Sequence, residues 1–142
     1  MRVELNRIDD AFHMEAKNEG GNSVHLDGSP AIGGHDLGAR PMELVLMGLG
    51  GCSAMDVISI LKKQREPLKE LRIVVDGERA EGEVPAVFQD IKVEFHLEGD
   101  LKPDKVKRAV SLSMETYCSV SRMLEKTAKI SARIFLNGTE LE

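Results

Sequence analysis

The sequence predicts an α+β domain in which mainly antiparallel sheets surround one buried central helix. Three observations carry this expectation. Between Leu44 and Met55 there is no charged residue, and Val57, Ile58, Ile60 and Leu61 extend the apolar character past Asp56. A helix that is apolar on nearly all sides must be covered on nearly all sides. Stretches before and after it alternate apolar and polar residues with the period of two that marks a half-buried strand. A further stretch opened by Pro103 repeats its apolar residues at helical spacing. The uncharged run is about 12 residues, the length of a core helix and short of the ~20 that a membrane span requires.

The elements follow in order. Val3 and Leu5 alternate with Arg2, Glu4 and Asn6; after Asp9-Asp10, Phe12, Met14 and Ala16 alternate with His13, Glu15 and Lys17. Asn18-Glu-Gly-Gly-Asn22 supplies a turn with positive φ, and Ser23-Val-His-Leu-Asp27 reads as a third strand, giving an N-terminal meander over 1–27. Residues 28–40 have no period. A loop of that length in a compact domain is functional or lies across a partner subunit. Pro41 suits the first turn of the central helix, where its missing N–H is not needed, and Glu43 then falls at the third helical position. Pro67 disfavours helical geometry at Glu66, so the central helix is expected over 41–65.

The remaining part, 68–138, reads as strand, strand, helix, strand. Leu71, Ile73 and Val75 form one alternating set; Ile91, Val93, Phe95 and Leu97 form the cleanest one, and the charged, turn-rich 77–85 joins them. Val106, Ala109, Val110, Ser113, Met114 and Tyr117 recur at helical spacing, placing Cys118 on the inward face four residues after Met114. A further helical stretch is expected from about Ser119 to Thr127. Ile130, Ala132, Ile134 and Leu136 alternate in the last strand, which Asn137-Gly138 ends.

At 142 residues the chain is expected to form one domain, 1–142, large enough to bury a core without disulfides or metal. Its net charge of -5, lack of Trp and single Tyr117 argue against nucleic acid, which demands a basic stripe backed by aromatics. Met-Arg-Val-Glu-Leu-Asn-Arg at the start lacks the apolar core of a signal peptide, so a cytoplasmic location with no membrane partner is expected. There Cys52 and Cys118 are thiols. Two cysteines are too few for a structural framework and leave two alternatives, inert core thiols or a redox pair. His13, His25, His35 and His96 have no ligand spacing, so neither a metal site nor a cofactor is expected. Gly48, Gly50 and Gly51 lack the Gly-Lys-Ser/Thr continuation of a phosphate loop and are expected to let another helix approach closely.

At Pro41-Met-Glu-Leu44 followed by Gly-Gly-Cys52, and again at Tyr117-Cys-Ser-Val-Ser121, the sequence resembles the OsmC/Ohr family of thiol proteins. The order of elements is similar too, and Asp56-Val-Ile-Ser-Ile-Leu-Lys-Lys-Gln-Arg65 resembles its less studied branch. The resemblance implies an OsmC-like fold and an intertwined homodimer. It also implies thiol-dependent reduction of organic hydroperoxides in oxidative stress defence. By position, Cys52 would be the peroxidatic thiolate that becomes a sulfenic acid, and Cys118 the resolving thiol whose disulfide an external dithiol reduces. The family's catalytic glutamate position holds Met42, and Glu43 matches the next residue. No arginine lies between Ala11 and Asp27, so Arg40 is the candidate cation, with Lys17 as a substitute.

The same residues have plainer explanations. Free cysteine is among the most buried residue types. Asp56, one turn after Cys52, raises a thiol pKa unless a cation compensates it, and as a buried carboxylate it needs a partner. Glu43 has a role in capping, and nine residues place it on nearly the opposite helix face from Cys52. Met42 and Met55 are core filling, or with Asp56 they border a pocket for an alkyl chain. The alternative function is therefore an OsmC-like protein that binds a lipid-like small molecule and turns over no peroxide.

Overall fold

A computed structural model describes all 142 residues, which group into two compact units, Met1–Val45 and Leu46–Glu142. The first unit holds a three-stranded antiparallel meander of β1 (Val3–Arg7), β2 (Met14–Asn18) and β3 (Ser23–Leu26), in the order β1-β2-β3. The loop after it is organised by one buried carboxylate. Asp27 accepts the N–H groups of Gly28, His35 and Leu37 at 2.7, 3.2 and 3.1 Å. Gly34 is required there, because a Cβ on it would lie 2.0 Å from the Gly28 carbonyl oxygen. Burial pushes the Asp27 carboxyl upward, yet the three backbone donors outweigh it and hold the pKa below the usual carboxylate value.

Helix α1 runs Pro41–Lys63. It ends where Arg65 takes a left-handed conformation at φ 58, two residues before Pro67. In a single chain it is not covered on all sides. Leu49, Ser53, Val57 and Leu61 are fully buried, each one turn after the last, whereas Met47, Met55 and Ile58 are exposed. The stripe at i+4 spacing is what one sheet and one neighbouring helix layer can cover. By length and composition α1 is also apolar enough to cross a membrane, with mean hydropathy 1.9, but four fully buried residues give it an inward face within the chain.

The second unit carries a four-stranded sheet in the order β4-β5-β6-β7: β4 (Leu68–Arg79), β5 (Phe88–Gly99), β6 (Lys129–Leu136) and β7 (Thr139–Leu141). Strand β4 continues into the stretch expected to be connection, to Arg79. Ile91, Val93, Phe95 and Leu97 of β5 are buried in strict alternation and form the centre of the core with Val106, Ala109 and Val110 of α2 (Pro103–Leu112). Strands β5 and β6 are parallel, which requires the long crossover that α2 and α3 (Ser119–Leu124) supply. Asn137-Gly138 does not end the sheet. Both residues have positive φ, 49 and 83, as a two-residue hairpin turn demands, and β7 folds back onto β6. Gly50 lies against a strand rather than a helix: a Cβ there would sit 3.3 Å from Val75.

Candidate active site

The helix start is closed by its own residues. The Leu44 N–H donates to the Arg40 carbonyl at 3.1 Å, and the Arg40 N–H donates to the Glu43 carboxylate at 2.8 Å. This is the backward half of a capping box. The Arg40 guanidinium donates to the carbonyls of Asp27 and Gly38 and pairs with Asp36. The Arg40 guanidinium thus finds its partners at Asp27, Asp36 and Gly38, all ahead of the helix.

About three turns into α1 stands Cys52, half-buried. Asp56 follows one turn later and therefore projects from the same face. Cys118 arrives by a different route from the one that the helical spacing suggested. After Leu112 the chain widens into a π-turn, Ser113–Tyr117, a geometry that inserts one residue per turn and recurs at functional sites. Tyr117 is thereby turned outward, 57% exposed, while Cys118 leaves the helix in an extended conformation and is 3% exposed. Its N–H donates to the Ser113 carbonyl at 2.8 Å. Its sulfur caps α3, accepting the Ser121 N–H at 3.4 Å.

The two sulfurs and a carboxylate oxygen of Asp56 consequently lie within 4.8 Å of one another. The Ser113 hydroxyl, fully buried, donates to the Asp56 carboxylate at 3.1 Å and lies 3.4 Å from the Ser53 carbonyl. Burial pushes the Cys118 thiol up to about 11; the Ser121 N–H lowers it, and the adjoining Cys52 raises it further. At neutral pH Cys118 is a thiol, and of the two sulfur-bearing residues Cys52 is the less buried. Met42 is half-buried and Met55 is 73% exposed. Sequence reasoning placed Ser113 on the inward face of its helix but gave it no role. The signal was a hydroxyl in an otherwise apolar stripe.

A cleft of about 720 Å³ begins at Asp56 and Tyr117 and follows α1 to Lys63 and Gln64. Its lining includes the apolar Ile60 and Leu112 and the basic Lys105 and Arg108. The Gln64 side-chain oxygen is buried without a hydrogen-bond partner, an acceptor that a ligand donor would satisfy.

The sequence model of the family described as OsmC-like protein matches residues 33–133. The chain belongs to the OsmC-like family. It is 45% identical over 112 residues to Protein YhfA of Escherichia coli (strain K12), covering 78% of this chain and 80% of that one. Among solved structures, a hypothetical protein from Aquifex aeolicus VF5 is 32% identical, with TM-score 0.78 over 96% of both chains. An organic hydroperoxide resistance protein OsmC from Legionella pneumophila is 13% identical, with TM-score 0.71, covering 94% of this chain and 95% of that one; it shares the OsmC fold. The α+β architecture expected from the sequence is thus that of this family.

Proposed function

We propose that the protein is a thiol peroxidase that reduces organic hydroperoxides through Cys52 and Cys118. The observation that supports this most is the convergence of two thiols, one half-exposed and one buried, from elements far apart in the sequence. The Cys52 thiolate attacks the terminal oxygen of the substrate and the O–O bond breaks. Cys52 becomes a sulfenic acid, and the alkoxide takes a proton and leaves as the alcohol. Cys118 then gives up its proton and attacks the Cys52 sulfur, releasing water and forming the disulfide, which an external dithiol reduces to two thiols. The high pKa of Cys118 suits it to the second step rather than the first. The cleft beside Asp56 has both apolar and basic lining residues, as expected for an alkyl hydroperoxide with a polar end.

A homodimer in the cytoplasm belongs to the same proposal. Met47, Met55 and Ile58 leave α1 with an apolar face that a second copy would cover. A reducing compartment would supply the dithiol.

The test is a thiol titration of the reduced protein before and after one equivalent of cumene hydroperoxide, repeated on Cys52→Ser and Cys118→Ser. Loss of both thiols in the natural protein, with a sulfenic acid trapped on Cys52 in Cys118→Ser, is expected. Two thiols that survive the peroxide would overturn it. The same assay on Arg40→Ala and Glu43→Gln assigns or removes their catalytic roles. The second proposal, a lipid-like ligand without turnover, is favoured by the cleft alone. It predicts an alkyl-chain compound extractable from purified protein and detectable by mass spectrometry.

A further inference from the structure

We propose that Cys52, Asp56 and Cys118 form a binding site for a soft divalent cation, zinc above all. The donor set is two sulfurs and one carboxylate oxygen, all within 4.8 Å of one another. In tetrahedral zinc coordination, with Zn–S about 2.3 Å, neighbouring donors stand about 3.8 Å apart, so contraction by about 1 Å or less closes the set. Cys52 and Asp56 sit at i and i+4 on a rigid helix, a spacing that presents two ligands to one ion. Cys118 completes the face from the junction of the π-turn with α3. Thiolate ligands select zinc and other soft ions over magnesium or calcium. The histidines play no part.

The surroundings are those of an oriented site. Asp56 is held by the Ser113 hydroxyl at 3.1 Å through one oxygen. Cys118 receives the Ser121 N–H at 3.4 Å. Such contacts fix first ligands in place and tune their affinity. The donor to Asp56 is a neutral hydroxyl, and no side-chain ion pair of the chain includes this carboxylate. Binding displaces the Cys118 proton, and a divalent ion is the species that compensates the two resulting thiolates and the carboxylate at once. Because Cys52 and Asp56 are only half-buried, the fourth position opens to solvent.

Metal binding commits the sulfur lone pairs, so the bound ion and the Cys52–Cys118 disulfide exclude each other. If the peroxidase proposal holds, the ion therefore holds the thiols out of reaction with peroxide. Only that consequence rests on the peroxidase proposal. The binding itself rests on the donor geometry.

The experiment uses full-length reduced protein stripped with a chelator, then titrated with Zn²⁺ against a chromophoric chelator and, separately, with Co²⁺. One ion per chain is expected, with a sulfur-to-cobalt charge-transfer band. Cys52→Ser and Cys118→Ser should each weaken Zn²⁺ binding by ~100-fold or more, and Ser113→Ala by about 10–100-fold, the usual scale of an outer-shell partner. Oxidation to the disulfide should release the ion. Far-UV circular dichroism checks each variant, and the cobalt band reads sulfur ligation in the natural protein even where a variant fails to fold. A cobalt spectrum without sulfur character, or Zn²⁺ affinity unchanged in folded thiol variants, would overturn the site. Peroxide inertness of metal-free protein would instead sink the peroxidase proposal and leave the metal site standing.

Discussion

The hydroxyl of Ser113 donates to the carboxylate of Asp56 across 3.1 Å, linking the π-turn that delivers Cys118 to the helix that carries Cys52. Ser113 is fully buried, whereas Asp56 is half-buried and lines the cleft. Water therefore replaces part of the lost donor, and the cost falls at the low end of the range for a charged partner. A hydrogen bond to a charged group is worth ~1.5–3 kcal/mol. Ser113→Ala is expected to lower the unfolding free energy by ~1.5 kcal/mol or less in urea titrations. It should also slow disulfide formation after peroxide more than it slows the first oxidation of Cys52, because it loosens the approach of the second sulfur. Equal effects on both steps would mean that the hydroxyl serves only folding.

Cys118 should behave as a protonated, shielded thiol. With metal removed and the chain reduced, iodoacetamide is expected to label Cys52 first at neutral pH. Alkylation of Cys118 should accelerate about tenfold per pH unit up to about 11, since only the thiolate reacts. The sign for stability follows from the same shift. The folded pKa is raised above the ordinary thiol value, so this contribution is fully present below about pH 8.5 and is lost as pH rises through about 11. Peptide mapping of the alkylated protein across pH reads the first expectation, and urea midpoints across the same range read the second.

The two faces of α1 should respond differently to substitution. Leu49 is fully buried, and Leu49→Ala is expected to cost ~2–5 kcal/mol, the transfer of its methyl groups plus the cavity left behind. Met55 is 73% exposed in the single chain, so Met55→Glu is expected to leave the fold of each chain intact and to shift a dimer toward monomer in sedimentation equilibrium. A monomer in the natural protein, or no shift in the variant, would remove the proposal that a second copy covers this face.

Periodicity made most of this fold legible. The alternation in 91–97 became a strand with its apolar residues buried, and Pro41 and Pro67 bracketed α1 because proline geometry is local. The π-turn was not legible, since Met114 and Tyr117 keep helical spacing in the sequence and only tertiary packing decides that the turn widens. Strand β7 was missed although Asn137-Gly138 is a hairpin signal, because three residues carry too little alternation to be read. At the site, the resemblance singled out Cys52 and Cys118 and the helix spacing added Asp56. The meeting of the two sulfurs depends on long-range packing that no local pattern encodes. The partner that Asp56 needs proved to be the Ser113 hydroxyl, and a lone serine in an apolar stripe gives no hint of which group it will meet.

Asp27 supplies the last expectation, a pH dependence confined to the loop before the helix. Its carboxylate is buried, which alone would raise its pKa, but the N–H groups of Leu37, Gly28 and His35 hold it below the ordinary value. The folded state therefore binds the carboxylate form more firmly than the unfolded chain does, and stability from this group is present above about pH 4 and is lost as pH falls through the lower folded pKa. Asp9, Glu66 and Glu140 are shifted in the same direction, so Asp27→Asn should flatten the acid limb of stability against pH without abolishing it. In NMR titrations the amide signals of Gly28, His35 and Leu37 should move together with one midpoint below the usual aspartate value. Asn at this position offers one accepting oxygen where the carboxylate had two, so at least one of those amides is expected to lose its protection from hydrogen exchange at neutral pH. Retained protection of all three in Asp27→Asn would mean that the loop is held by its glycines and backbone bonds, and that the carboxylate only fills the space between them.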